Sequence, residues 1–245
     1  LRSTIFQNLK NRQAQGRLCF NRDNPMKVEL KKERVAYRDF FKIVVGRLRF
    51  EKFNGQMSKE VRRLCLDRGD AVAVVLFNRK KKTLILIEQF RYPVYRALQG
   101  QNGWIYELAA GVVEPGETPE EVVEREVMEE VGYEVKNIKR LACIYPSPGV
   151  ISERIYIYYA EVAEQINRGG GLASEHEDIR VIELPVKKVY AMIKQGLIED
   201  AKTLIGLMYA KEKLGITPRR QGLKKKAEHN VSAAKKQNFP KIKTH

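Results

Sequence analysis

Thr118-Pro119-Glu120-Glu121 opens a helix whose composition would make it a poor purely structural element. Threonine at the N-cap with glutamate at N3 forms a capping box, and proline at N1 supplies the φ of a first turn without losing a needed N–H. Val123, Val127 and Val131 recur at four-residue spacing, the stripe of a helix buried on one side, and Gly132 stands where a C-terminal cap is expected. Yet from Thr118 to Glu130 the helix holds six glutamates against one arginine. Glu126, Glu129 and Glu130 crowd one face, and like-charged pairs at this spacing cost a few tenths of a kcal/mol each. The helix dipole also disfavours anions near the C-terminal end. A hard divalent cation converts that repulsion into coordination, and an oxygen-only donor set suits Mg²⁺ or Mn²⁺. A Glu-rich helix on its own is more often a solvated acidic face, so the decision rests on what surrounds it.

The surroundings are specific. Gly111 is followed after five residues by Glu117, and after seven more by Arg125-Glu126-Val127-Met128-Glu129-Glu130-Val131-Gly132. At ordinary residue frequencies such a set of coincidences arises on the order of once in 10⁸ start positions. With this spacing the chain resembles the Nudix hydrolase superfamily, from about Gly69 to Leu214. The resemblance implies an α/β fold, an α/β/α sandwich with a mixed sheet, preceded here by a small antiparallel β subdomain. It implies that Glu126 and Glu130 ligate metal, that Glu129 supports them catalytically, and that the Ala110 carbonyl adds a ligand. It further implies that Arg125 and Glu117 pair to brace the loop against the helix, with Gly111 and Gly132 shaping the box.

Other segments narrow the branch. Glu88-Gln89-Phe90-Arg91, Tyr106 to Gly111, Ser147-Pro148-Gly149 and Ser152-Glu153 are similar to ADP-ribose pyrophosphatases. Pro148 lies at a position associated with ADP-ribose hydrolysis in that family; Arg91 and Glu153 would contact phosphate and terminal sugar. Gly169-Gly170-Gly171 through Ile179 resembles that branch's catalytic loop, which makes Glu175 the base and Glu177 a metal ligand. The implied reaction is hydrolysis of a nucleoside diphosphate sugar, ADP-ribose to AMP and ribose 5-phosphate. The same glycine-rich stretch, with Lys202-Thr203, also resembles GDP-mannose-cleaving relatives, so the nucleotide stays open. The N-terminal sheet resembles the part that in this branch is exchanged within a homodimer.

Along the rest of the chain, strands are expected at 41–50, 61–66, 71–77, 83–90, 138–144, 155–162 and 179–183, with helices at 186–194 and 201–214. The organisation read from this is a basic extension (1–39), a β subdomain (40–68), the Nudix domain (69–214) and a basic tail (215–245). The net charge of +16 sits at the ends: residues 1–40 carry +6 and 211–245 carry +9, leaving +1 between them. Basic arms of this kind suit RNA or a ribonucleoprotein assembly, a reading of another class. No apolar run nears the ~20 residues of a membrane helix, so no membrane partner is expected. Three scattered cysteines imply a reducing intracellular compartment. A start at Leu1 rather than Met suggests a removed targeting segment, leaving cytoplasm or an organelle matrix as the destination.

Overall fold

The computed structural model describes residues 26–175 and 177–215. The chain divides after Ala210, and of the second unit, which begins at Lys211, only 211–215 are described, as turns. The helix expected over 201–214 ends at Ala210. The tail from 216 onwards and the first 25 residues lie outside the description.

Three strands open the chain: β1 (Val28–Arg38), β2 (Lys42–Phe50) and β3 (Val61–Asp67), forming an antiparallel sheet in that order. The sheet therefore begins at Val28, inside the segment 1–39 that composition marks as an extension. Two features hide β1 from the sequence. It is exposed along its whole length, and irregularities after Leu30 and after Val35 break its period of two. β3 is tied to the rest of the unit where Leu66 N–H donates to the Val150 carbonyl (2.9 Å) and Ser152 N–H to that of Leu66 (3.1 Å).

The main sheet contains β4 (Ala71–Asn78), β5 (Thr83–Phe90), β6 (Trp104–Glu107), β7 (Ala109–Val112), β8 (Tyr133–Ile144), β9 (Ile155–Gln165) and β10 (Ile179–Pro185). Its spine runs β10-β5-β4-β9-β8, with β4 and β9 parallel and the other neighbours antiparallel. β4 and β5 pair only at their hairpin end, from Leu76 to Asn78. Beyond it they diverge; β6 pairs with β5 and β7 with β4, so the segment Trp104–Val112 fills the fork.

Helices cover both faces. α1 (Tyr92–Ala97) is a short insertion after β5; α2 (Pro119–Glu126) continues into a π-helical turn at Val127–Val131; α3 is Val186–Lys194 and α4 is Ala201–Ala210. The capping box forms as expected: Glu121 N–H donates to Thr118 Oγ1 (3.3 Å) and Thr118 N–H to Glu121 Oε2 (2.7 Å). Val122, Val123, Val127 and Val131 bury against Val72, Val74, Leu76, Ile85, Ile87 and Tyr158. On the opposite face Gly206 brings α4 so close that a Cβ there would stand 2.8 Å from Leu108 Cδ1 and 3.1 Å from Val75 Cγ2. The result is the α/β/α sandwich with a mixed sheet, its core apolar on both sides of β4. Among the described residues no helix is long and apolar enough to cross a membrane.

Candidate active site

The site forms where the C-terminal half of the glutamate helix meets β7. Glu130 is 2% exposed, and its Oε2 accepts a hydrogen bond from Ala110 N–H at 3.0 Å. N–H and C=O of one strand residue point to the same side, so the Ala110 carbonyl also turns from β4 toward the helix. Gly111 is needed next to it: a Cβ at that position would lie 1.7 Å from Glu126 Oε1. The π-turn follows directly after Glu126 and ends at Gly132, whose φ of 71° is cheap only for glycine. Local unwinding of this kind inside a helix commonly marks functional positions.

Arg125 organises the carboxylates not buried by the strand. Its Nε donates to Glu117 Oε1 (3.0 Å), while Nη1 donates to Glu126 Oε1 (2.8 Å) and Glu129 Oε2 (3.1 Å). Its Nη2 reaches Glu117 Oε2 (3.3 Å) and the Val112 carbonyl (3.4 Å). The brace between loop and helix thus joins Arg125 to Glu117, and it also holds two of the three clustered glutamates.

The glycine-rich segment docks on the end of the same helix. Gly170 N–H donates to the Glu130 carbonyl (2.9 Å) and Gly171 N–H to that of Glu129 (3.2 Å), so backbone carbonyls left open by the helix end are satisfied. A Cβ at Gly169 would meet the Glu130 carbonyl oxygen at 2.4 Å, and one at Gly171 would meet Glu177 Oε2 at 2.5 Å. This close approach brings Glu177 to the carboxylate group, its Oε2 also accepting from Leu172 N–H (3.0 Å). Glu175 ends a 3₁₀ turn at Ala173–Glu175; its side chain, and His176 entirely, lie outside the described residues.

Sequence reasoning missed a buried charged network on the other flank. Arg91 Nε and Nη2 fork onto Glu107 Oε1 (2.9 Å) and Oε2 (2.8 Å), and Lys202 Nζ donates to Glu107 Oε2 (2.7 Å). Lys202 also pairs with Asp200 (3.1 Å), and Asp200 Oδ2 accepts from the Thr203 hydroxyl (2.6 Å). Thr203 Oγ1 in turn accepts from Leu108 N–H (2.9 Å). This network fastens α4 to Glu107–Leu108, directly ahead of Ala110 and Gly111. The signal available in sequence was Glu107 itself, a carboxylate in an otherwise apolar run leading into the box. Glu153, 7% exposed, faces Arg68 (3.4 Å) rather than its neighbour Arg154, which pairs with Asp70. Pro148 is exposed on the turn closed by Val150 N–H and Ile151 N–H on the Ser147 carbonyl. Both lie on the β8–β9 connection, away from the Ala110–Glu130 contact in sequence but on one loop together.

The electrostatics separate the two flanks. Burial pushes Glu126 up to about 7, with Arg125 pulling it back and Glu129 and Glu177 adding to the rise. Burial likewise raises Glu130 well above the carboxylate range; the Ala110 N–H opposes this, and Glu126 and Glu177 reinforce it. Burial would also raise Glu107, but the Arg91 fork and Lys202 outweigh it and hold that carboxyl at about 2. One flank is therefore compensated and the other is short of positive charge. Among the described residues no three carboxylates already converge on one point, since Glu126 and Glu129 both turn to Arg125. The donor set nonetheless fits a hard divalent cation: it is all oxygen, and its buried carboxylate, Glu130, has among the described residues one hydrogen-bond partner, the Ala110 N–H.

The NUDIX domain family matches residues 67–204, more than half the chain. An ADP-ribose pyrophosphatase of Escherichia coli (strain K12) is 38% identical over 183 residues, 74% of this chain and 87% of that protein. A GDP-mannose pyrophosphatase of Pectobacterium atrosepticum is 40% identical over 159 residues, 64% of this chain and 80% of that one. A crystal structure of an ADP compounds hydrolase superposes with a TM-score of 0.59 at 21% identity, over 78% of this chain and 96% of its own, and supports the fold. The chain belongs to the NUDIX family.

Proposed function

We propose that this chain is a pyrophosphohydrolase of nucleoside diphosphate sugars, with ADP-ribose as its preferred substrate. The observation that carries the reading is Glu130 buried on the Ala110 N–H with Glu126 against Gly111, and the glycine-rich segment that carries Glu177 docked on the end of the same helix. Glu126, Glu130, Glu177 and the Ala110 carbonyl would hold Mg²⁺ or Mn²⁺. Such ions, when bound, neutralise the diphosphate and lower the pKa of water. Glu175 takes the proton from the water as its oxygen bonds to phosphorus and the bridging P–O bond breaks. Glu129 supports Glu126 through their common partner Arg125. The products are AMP and ribose 5-phosphate.

Arg91 contacts phosphate in this reading, oriented by the Glu107 fork that holds its Nε and Nη2. Glu153 and Pro148, on the β8–β9 connection, serve the terminal sugar. A second reading, GDP-mannose as substrate, is favoured by Lys202-Thr203 and by the GDP-mannose pyrophosphatase relatives. The working unit is a homodimer formed through the N-terminal sheet, whose exposed Val28, Leu30, Val35 and Phe50 are suited to burial against a second copy. The free thiol of Cys65 suits a reducing intracellular compartment, cytoplasm or organelle matrix. The Glu175→Gln variant tests the base: kcat falls steeply with KM little changed, whereas a rate near that of the parent would remove Glu175 from the role.

A further inference from the structure

The two faces of the N-terminal sheet differ in chemistry. Residues directly opposite on antiparallel strands share a face, so the register sorts the side chains. One face carries the row Leu30–Leu48–Val61, with Val28 opposite Phe50 and Val35 opposite Val44. This is the apolar side assigned above to a second copy of the chain. The other face carries Lys32, Arg47 and Arg62 directly opposite one another across all three strands. Arg34 stands on the same face one row further along, opposite Val45, and Arg49 stands on the other side of the row, opposite Glu29.

Like charges placed directly opposite destabilise a sheet. The compensation on this face is partial. Glu60 pairs with Arg47 (3.3 Å), and Glu29 is divided between Lys31 (2.7 Å) and Arg49 (3.8 Å). Among the described residues no ion pair or side-chain hydrogen bond engages Lys32, Arg34 or the Arg62 guanidinium, and all three residues are exposed. At the far end of the same face Tyr37, opposite Ile43, is 52% exposed, with its hydroxyl fixed on Asp39 Oδ2 (3.0 Å). A cation row with a fixed, exposed aromatic ring on the same face, four residues along β2 from Arg47, matches what a single strand of nucleic acid needs: charges for successive phosphates and a face for a base to stack on.

We propose that the Lys32–Arg47–Arg62 face of the N-terminal sheet is a docking surface for single-stranded RNA. The surface lies on the described part of the chain, in addition to the basic segments beyond it. Because it opposes the apolar face, it stays open when a second copy covers the latter. RNA is favoured over a lipid surface because the cations form a row across three strands with an anchored ring on the same face; of the apolar side chains there, Val45 is buried and Leu64 is exposed, whereas the exposed Val28, Leu30, Val35 and Phe50 lie on the opposite face.

The test uses the full chain, a fluorescein-labelled oligouridylate and anisotropy over a salt series. The triple variant Lys32→Gln, Arg47→Gln, Arg62→Gln removes three phosphate contacts, each contributing about 0.7 to the slope of log K against log salt for single strands. The slope should fall by about 2, and affinity near 0.1 M salt by about 100-fold, with the two curves converging toward 1 M. The thermal midpoint of the variant should equal or exceed that of the parent, since repulsion is relieved. Tyr37→Leu, with all charges intact, should weaken binding several-fold without altering the slope. An unchanged slope and affinity in the triple variant, in a protein that melts normally, overturns the proposal. Binding of phosphatidylserine vesicles with no binding of oligouridylate does so as well.

Discussion

Gly111→Ala should separate activity from stability. The added Cβ would start 1.7 Å from Glu126 Oε1 and 1.9 Å from its Cδ. Ordinary contacts of this kind lie at about 3.5 Å, so the carboxylate has to retreat by roughly 1.5 Å or more. Gly111 lies in β7 and is not among the glycines with positive φ, so the backbone accepts alanine. The obstacle is a flexible side chain whose Oε1 accepts from Arg125 Nη1 at 2.8 Å and which Glu129 and Glu177 repel, so displacing it loosens one ion pair and relieves repulsion, two effects of opposite sign. Stability should therefore change by less than about 0.5 kcal/mol, a shift of the thermal midpoint of roughly 2 °C for a chain of this size. Catalysis tolerates such displacement poorly: a misplacement of about 1 Å costs on the order of 100-fold. Turnover of ADP-ribose with Mg²⁺ should fall by at least about 100-fold, near 3 kcal/mol of barrier. AMP release followed by chromatography, alongside a melting curve, measures both. A rate within about threefold of the parent would refute the placement of Glu126 in the reaction centre.

Other outcomes follow from the same structure. Glu107→Gln removes the buried counter-charge of the half-exposed Arg91 and one of the two carboxylates paired with Lys202, which keeps Asp200, and should destabilise by about 2 kcal/mol, visible as a fall in melting temperature of about 6 °C; an unchanged midpoint would contradict the network. Glu107 titrates at about 2, below its ordinary 4.5, so its stabilisation is complete above pH 4.5 and is lost as pH falls toward 2. The acid-induced drop in melting temperature should accordingly be smaller in Glu107→Gln than in the parent, and equal drops would count against that assignment. Gly169→Ala, with its Cβ 2.4 Å from the Glu130 carbonyl oxygen and φ at 60°, should lower both stability and turnover; a normal melting curve would show that the segment does not dock there. Light scattering should give the mass of a dimer, and a monomer would remove the N-terminal sheet from the role of interface.

Legibility in the sequence followed burial and local periodicity. The core strands from Ala71 and Thr83 and the helix Val186–Lys194 lie where their apolar patterns put them, because each buries a face against the sheet. β1 was hidden by full exposure and two irregularities, and β6 and β7 by being short strands whose partners change across a fork. In the site, the brace between Arg125 and Glu117 and the glycine at Gly111 were implied by the family resemblance, whose motif lies within one loop and helix. Arg91, Glu107, Asp200, Lys202 and Thr203 come from three separate elements, and nothing local in any of them reports that they meet. The docking of Gly170 and Gly171 on the end of the glutamate helix was likewise a tertiary fact, although the run of three glycines signalled a close backbone approach of some kind.

The central claim is tested most directly by supplying ADP-ribose, GDP-mannose, ADP-glucose and UDP-glucose separately, with Mg²⁺ and with EDTA, and identifying the products. The account predicts AMP and ribose 5-phosphate from ADP-ribose, abolished by EDTA and faster than release from any other member of the panel. No turnover of any of them by folded protein, or turnover of ADP-ribose that EDTA leaves intact, would contradict it.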